Sequence, residues 1–191
     1  MMPRCNTPIP DETLLDYWAR DLSEGDETGP VEEHLFACGD CSARLYQMAS
    51  LGAGVATLAR QGRVSGTLSR ALLNRMQRDG VHVRLYSLLP GETVPCAAFP
   101  GDDLLVASLR ADFSGVSAVT LVVTGPGDSP MSEVDEVPVS GPEGEVLWAM
   151  PGAVVRQMPS MRLRLTLVSA GATRAELGTY VLDHSASNQP A

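Results

Sequence analysis

The spacing of apolar residues changes once along this chain, near Val81, and this change restricts the folds that it can adopt. Before that point apolar side chains recur every three or four residues, which is the pattern of amphipathic helices. After it they alternate with polar residues, as in half-buried strands. Helices followed by many short strands predict an α+β fold, in which a small helical bundle precedes an antiparallel β-sandwich.

Four helices are predicted in the first part of the chain. The first begins with Asp11 as its N-cap, and a short second helix covers Val31–Ala37. The third runs from about Asp40 to Leu58, and the fourth covers Thr67–Asp79 and is ended by Gly80. The predicted organisation is a helical domain (1–60), a linker with the fourth helix (61–80), a β-sandwich (81–184) and a disordered tail (185–191).

Eight strands are predicted after residue 80. Turn signals such as Pro90-Gly91 and Gly141-Pro142 separate many of them, and short strands at this spacing are typical of a sandwich. Alternation in the seventh strand points Arg162 and Arg164 to water and the intervening leucines to the core. The predicted strands are Val81–Leu89, Thr93–Ala98, Leu104–Ala111, Ala118–Val123, Met131–Val139, Glu145–Ala149, Met161–Val168 and Glu176–Leu182.

Charge and hydropathy exclude several kinds of partner. The net charge is −9, whereas binding to duplex DNA or an anionic membrane depends on clustered Lys and Arg. No apolar run approaches the roughly 18 residues of a membrane span, and the N-terminus lacks the apolar region of a signal peptide. We therefore expect a cytoplasmic protein. In that reducing compartment, closely spaced Cys and His indicate a metal site rather than a disulfide.

One motif carries most of the chemical information, His34-Leu-Phe-Ala-Cys38-Gly-Asp-Cys41. On a helix His34 and Cys38 lie on the same face, and the Cys-x-x-Cys turn allows both thiolates to reach one ion. Thiolates with an imidazole suit tetrahedral zinc, Zn²⁺. Cys5 is the natural fourth ligand, because the Pro-rich segment that follows it could fold back; water or a ligand from another molecule is the alternative.

Two other interpretations of this motif are open. The cysteines could be small buried residues beside a surface histidine, or Cys38 and Cys41 could form a thioredoxin-like redox pair. The redox interpretation needs a preceding strand and a βαβ context, and neither is evident in the sequence. A histidine four residues upstream on a predicted helix, with a spare cysteine near the N-terminus, favours zinc.

The helical part resembles the zinc-binding anti-sigma domain, also called the putative zinc-finger domain. The resemblance rests on Leu14-Leu15-Asp16-Tyr17-Trp18, on Leu22-Ser23-Glu24 and on the run from Val31 to Leu45, and it covers about residues 5–80. It implies a ligand before the first helix, a three-helix bundle and a detached fourth helix. In the family these helices clamp an extracytoplasmic-function sigma factor, and some members release it when the thiols are oxidised.

The chain departs from the commoner plan of that family in two respects. Many members carry a transmembrane helix after the domain, and this sequence has no candidate for one. Some soluble members carry a C-terminal cupin with a His-rich metal site, whereas the β part here contains only His82 and His184, outside any His-x-His pair. A metal-binding cupin is therefore not expected.

Two surfaces are predicted to bind the partner protein. Acidic residues concentrated before residue 45 would complement a basic sigma-factor surface. An apolar edge of the fourth helix would enter a groove, unless it packs against the bundle or the β domain. The predicted contact residues are Asp16, Glu24, Glu27, Glu32, Leu68, Leu72 and Met76.

The leading hypothesis is a cytoplasmic zinc-binding anti-sigma factor that is not an enzyme and contacts neither nucleic acid nor membrane directly. The alternative is a zinc-finger interaction adaptor with a ligand-sensing β-sandwich, unrelated to sigma factors. A third hypothesis, a thiol–disulfide oxidoreductase, predicts turnover of a small disulfide by Cys38 and Cys41 without bound metal. The sequence contains no Ser/His/Asp or paired-carboxylate arrangement that argues for other catalysis.

Overall fold

A computed structural model describes residues 5–19, 28–61, 65–137, 139, 144–170 and 174–186. Three helices come first, α1 (Asp11–Ala19), α2 (Thr28–Ala37) and α3 (Gly39–Arg60). A short strand β1 (Gly66–Leu68) and helix α4 (Arg70–Arg78) follow, and the rest of the chain is largely β-structure. The predicted α+β fold is confirmed. Among the described residues, no helix combines the length and apolar character that crossing a bilayer requires.

Within the described ranges, nine strands form two sheets. One has the order β1-β7-β4-β2 and the other the order β3-β9-β8-β5-β6. Side chains from both sheets, including Trp148, Leu165 and Tyr180, form one shared core, so the sheets pack face to face as a sandwich. The later strands are β2 (Val83–Leu88), β3 (Thr93–Cys96), β4 (Leu104–Arg110), β5 (Val119–Thr124), β6 (Pro130–Val134), β7 (Glu145–Pro151), β8 (Met161–Ser169) and β9 (Glu176–His184).

The sheets are mixed, although an antiparallel sandwich was predicted. β2 pairs with β4 in parallel, and β3 pairs with β9 in parallel, while the other pairings are antiparallel. The physical reason is the course of β3, which leaves the first sheet to join the second. The chain then returns beside β2 through a crossover, and a crossover connection permits parallel pairing.

The alternation predicted for β8 is present. Leu163, Leu165 and Leu167 are buried, and Arg162 and Arg164 are exposed. A short helix, α5 (Gly152–Gln157), was not predicted and follows β7 directly. The predicted tail lies mostly outside the described residues, which end at 186.

The fourth helix starts later than predicted and is not detached. Residues 66–68 form β1, which pairs with β7, and Ser69 caps α4 by accepting a hydrogen bond from the Leu72 amide at 3.2 Å. Leu73 and Met76 pack with Ala56 of α3 and with strands β4 and β7 in a second core. The guanidinium of Arg75 lies 5.3 Å from the centre of the Trp18 ring on α1. These contacts fix α4 between the helices and the sandwich.

A polar cluster also ties α4 to the sandwich. The Arg70 guanidinium donates to Glu145 Oε1, with a distance of 2.7 Å from Nε, and the Ser108 hydroxyl donates to Glu145 Oε2. Burial raises the pKa of Glu145, but the hydrogen bonds from Arg70 and Ser108 outweigh it and hold that pKa below its ordinary 4.5. The ionised carboxylate therefore stabilises the folded chain.

Glu145→Gln is expected to lower the unfolding free energy by about 2 kcal/mol at pH 7, because a half-buried charged hydrogen-bond partner is lost. Because the pKa of this carboxyl group is lower in the folded chain, its ionised form contributes its full stabilisation above the ordinary pKa of 4.5. This stabilisation is lost as the pH falls through the lower pKa of the folded chain. The difference between wild type and variant should therefore shrink below about pH 4.5 in denaturant titrations at several pH values. Glu133→Gln, which removes an exposed pair with Arg174, is the control and should change stability by less than about 0.5 kcal/mol.

Candidate metal centre

Four side chains converge at one end of the helical region. Cys5, His34, Cys38 and Cys41 each offer one ligand atom, and these atoms all lie within 4.8 Å of one another. Cys5 Sγ is 3.4 Å from His34 Nε2 and 4.0 Å from Cys41 Sγ. Cys41 is buried and the other three are half-buried. The structure thus brings together all four residues predicted as metal ligands.

The junction of α2 and α3 positions three of the four. His34 lies in the last turn of α2, Cys38 is the N-cap residue of α3, and Cys41 lies in the first turn of α3. The Cys38 amide donates to the His34 carbonyl at 2.8 Å, and the Ser42 amide donates to the Cys38 carbonyl at 3.1 Å. The backbone therefore turns tightly at Cys38 and carries both thiols to the side of the imidazole.

The segment after Cys5 folds back as the sequence suggested. The Cys5 amide donates to Asp40 Oδ2 at 3.0 Å, and Arg44 donates to the Ile9 carbonyl at 2.9 Å. Arg44 also pairs with Asp11. The Ile9 side chain is buried in a small apolar cluster with Leu14, Val31 and Cys41. Two polar anchors and one apolar anchor therefore hold Cys5 beside the other ligands.

Asp40 and Arg44 were not singled out from the sequence, although they position the metal ligands. Both follow Cys38 on α3, and the four-residue spacing places them on one face of that helix. A charged pair at that spacing is usually a solvated helix face, so spacing alone does not reveal that both reach back to the N-terminal segment. These contacts form only because the N-terminal segment folds back onto α3.

The thiols differ in how readily they ionise. The nearby backbone amide of Cys41 and the hydrogen bond from Cys5 lower the pKa of Cys38 to about 7. Partial burial, together with the hydrogen bond to Cys38, raises the pKa of Cys5 to about 11. Of these two thiols, Cys38 therefore ionises first as the pH rises.

The arrangement fits a tetrahedral metal ion. Bonds of about 2.3 Å to sulfur and about 2.0 Å to nitrogen place tetrahedral ligand atoms about 3.5–3.8 Å apart, and the observed 3.4 and 4.0 Å lie close to that range. Four donors from one chain also complete the coordination shell, as structural sites require. The cluster is therefore positioned to hold a metal ion. Its convergence argues against unrelated buried cysteines, and its place between two helices argues against a thioredoxin-like pair.

The predicted partner-binding residues have different surroundings. Glu32 is exposed on α2 and accepts a hydrogen bond from Tyr17, and Asp16 is half-buried on α1. Leu68 and Met76 are buried in the second core and Leu72 is half-buried against it. This apolar edge therefore packs against the rest of the chain, which was the alternative to entering a partner groove. Glu24 and Glu27 lie outside the described residues.

Comparisons with known proteins add little to this geometry. No family model matches the chain, and no curated protein matches it. Among solved structures, the N-terminal domain of phage TP901-1 ORF48 is similar over 55% of this chain and 98% of that domain, with 11% identity and a TM-score of 0.35. A similarity at this level supports no conclusion about fold or function.

Proposed function

We propose that the cluster of Cys5, His34, Cys38 and Cys41 binds zinc, and that the chain is an anti-sigma factor which sequesters an extracytoplasmic-function sigma factor. The observation that carries the proposal is the convergence of these four ligands on a helical scaffold. One ligand precedes α1, and the other three lie at the junction of α2 and α3. This order of the ligands along the chain is also that of the family that the sequence resembles.

Zinc supplies a structural link rather than a reaction, because a site with four protein ligands leaves no open position for substrate. Cys5 would tie the N-terminal segment to the α2–α3 junction through the metal. Asp40 and Arg44 orient that segment through the Cys5 amide and the Ile9 carbonyl. The metal would therefore determine whether α1, α2 and α3 present a defined surface.

The exposed faces of α2 and α3 support a protein partner. Phe36, Tyr46 and Leu51 are 92%, 75% and 72% exposed, which is unusual for large apolar side chains. Glu32 and Glu33 are exposed on the same helix as Phe36. Acidic and apolar groups side by side suit a partner surface that is basic and partly apolar, which is the character expected of a sigma factor's DNA-binding region. Because α4 is packed within the chain, we assign the contact to α2 and α3.

The test is retention of a tagged extracytoplasmic-function sigma factor, encoded in the same genome, by the full chain. Wild type should retain the sigma factor, and His34→Ala and Cys38→Ala should each weaken its binding at least about 100-fold. A 100-fold loss of affinity corresponds to roughly 3 kcal/mol, and the free energy of metal binding far exceeds that amount. His82→Ala is the matched control, because His82 is exposed and distant from the cluster in sequence, and it should bind like wild type.

Two results would contradict the proposal in different ways. A zinc-loaded, folded chain that retains none of the sigma factors of its genome would favour the interaction adaptor. A chain without metal that turns over a small disulfide, with loss of turnover in Cys38→Ala, would favour the oxidoreductase.

A further inference from the structure

A cysteine and a histidine, two residue types that commonly bind metals, also lie side by side inside the β-sandwich. Parallel pairing of β3 with β9 places Cys96 directly beside His184, each as the last residue of its strand. Cys96 Sγ is 3.9 Å from His184 Nδ1, and the two residues are 7% and 2% exposed. The Ser185 amide donates to the Cys96 carbonyl at 3.0 Å, which fixes the two strand ends together. Neither residue belongs to the helical cluster.

Both residues line a small cavity. Its volume is about 20 Å³, which is enough for one ion or one water molecule and too small for an organic ligand. Met150 from β7 and Met158 from the end of α5 line the same cavity, and no carboxylate does so among its described lining residues. One cysteine, one histidine and two methionines therefore line one ion-sized space.

The hydrogen bonding of His184 is incomplete within the chain. Its Nε2 is buried and has no hydrogen-bond partner among the described residues. An unsatisfied buried polar group costs about 1–3 kcal/mol, so a histidine retained only for packing would be expected to have partners for both ring nitrogens. The imidazole is therefore retained for more than packing, and its Nδ1, which lies 3.9 Å from Cys96 Sγ, is the nitrogen that an ion shared with Cys96 would use.

We propose that Cys96, His184 and the thioethers of Met150 and Met158 form a site for a single Cu(I) ion. Thiolate and thioether ligands select Cu(I), whereas zinc sites use cysteine, histidine and carboxylate. A metal ion with bonds of about 2.3 Å to sulfur and about 2.0 Å to nitrogen holds these two ligand atoms about 3.5 Å apart at a tetrahedral angle and about 4.3 Å apart when they are in line. The observed 3.9 Å between Cys96 Sγ and His184 Nδ1 falls within that range. Binding replaces the Cys96 thiol proton, which leaves to solvent.

The test titrates the zinc-saturated full chain anaerobically with Cu(I) against a chromophoric Cu(I) chelator, while zinc content is measured in the same samples. Wild type should bind one Cu(I) per chain and keep its zinc. Cys96→Ser should abolish this binding. Loss of even an outer-shell partner weakens metal binding about 10–100-fold, so the double variant Met150→Leu/Met158→Leu should weaken it at least about tenfold. Leucine nearly preserves the volume of methionine, so this variant keeps the core packed.

Met131→Leu is the control, because Met131 is exposed on β6 and does not line the cavity. Its Cu(I) affinity should equal that of wild type. Three results would overturn the proposal: no copper bound while zinc is retained, copper bound only as zinc is released, or an unchanged affinity in the double methionine variant. The first of these would leave a water molecule as the occupant of the cavity.

Discussion

Removing the metal ion, by a zinc chelator or by Cys41→Ala, is expected to unfold the helical module, which comprises Cys5 to Ala19 and helices α2 and α3. Few side chains hold this module together. Its apolar cluster contains four buried residues, Ile9, Leu14, Val31 and Cys41 itself. Structural zinc contributes of order 10–16 kcal/mol to the folding of small zinc peptides, whereas a whole domain is stable by about 5–15 kcal/mol. Apart from Ala56 and Ala59, through which the end of α3 joins the second core, the module therefore has too little apolar burial to stay folded without the metal.

Far-ultraviolet circular dichroism before and after chelation measures this effect, because the module holds most of the described helix. The helical signal should fall by more than half, and the β-signal of the sandwich should persist. His82→Ala, which changes an exposed histidine outside the cluster, should retain both zinc and helix. Complete removal of zinc with an unchanged helical signal would show that packing alone folds the module.

Gly152→Ala is expected to destabilise the sandwich by about 3 kcal/mol, the upper part of the range for overpacking in a core. A Cβ atom on residue 152 would lie 2.0 Å from the Asp102 carbonyl oxygen and 2.9 Å from its carbon. Neither backbone can move easily, because the Gly152 amide donates to the Asp103 carbonyl at 2.8 Å and Asp102 is held by Arg84. The start of α5 and the loop before β4 would have to separate.

Thermal and denaturant unfolding of the full chain measure that loss. For a chain of this size it corresponds to a fall in melting temperature of about 6–12 °C. Gly54→Ala is the matched control, since Gly54 is exposed within α3 and a Cβ there meets no atom within 4 Å. It should stabilise α3 by about 0.5–1 kcal/mol. Equal stability of Gly152→Ala and wild type would mean that this contact is looser than the structure shows.

The sequence predicted the features that depend on local spacing. The change in the spacing of apolar residues near Val81 predicted the α+β class. The eight predicted strands correspond to β2–β9, because alternating apolar and polar residues indicate a strand that buries one face. The convergence of His34, Cys38 and Cys41 followed from helix geometry. Cys5 was predicted because the Pro-rich segment after it could fold back, but its position depends on contacts with Asp40 and Arg44 that no local pattern encodes.

Features that depend on long-range pairing could not be decided from the sequence. The Leu68 side chain is apolar whether it enters a partner groove or the chain's own core, and only the pairing of β1 with β7 decides between them. The parallel pairs arise because β3 changes sheets, which is a property of the whole topology. For the same reason Cys96 and His184, 88 residues apart, form no recognisable motif in the sequence.

In the proposed site, three thiolates and one imidazole of this chain share one zinc ion. X-ray absorption at the zinc edge on the purified full chain tests it directly. The predicted result is one zinc per chain with three sulfur ligands at about 2.3 Å and one nitrogen at about 2.0 Å. In Cys5→Ser the sulfur count should fall to two. A zinc shell of oxygen and nitrogen ligands, or a spectrum that Cys5→Ser leaves unchanged, would contradict the four-ligand site.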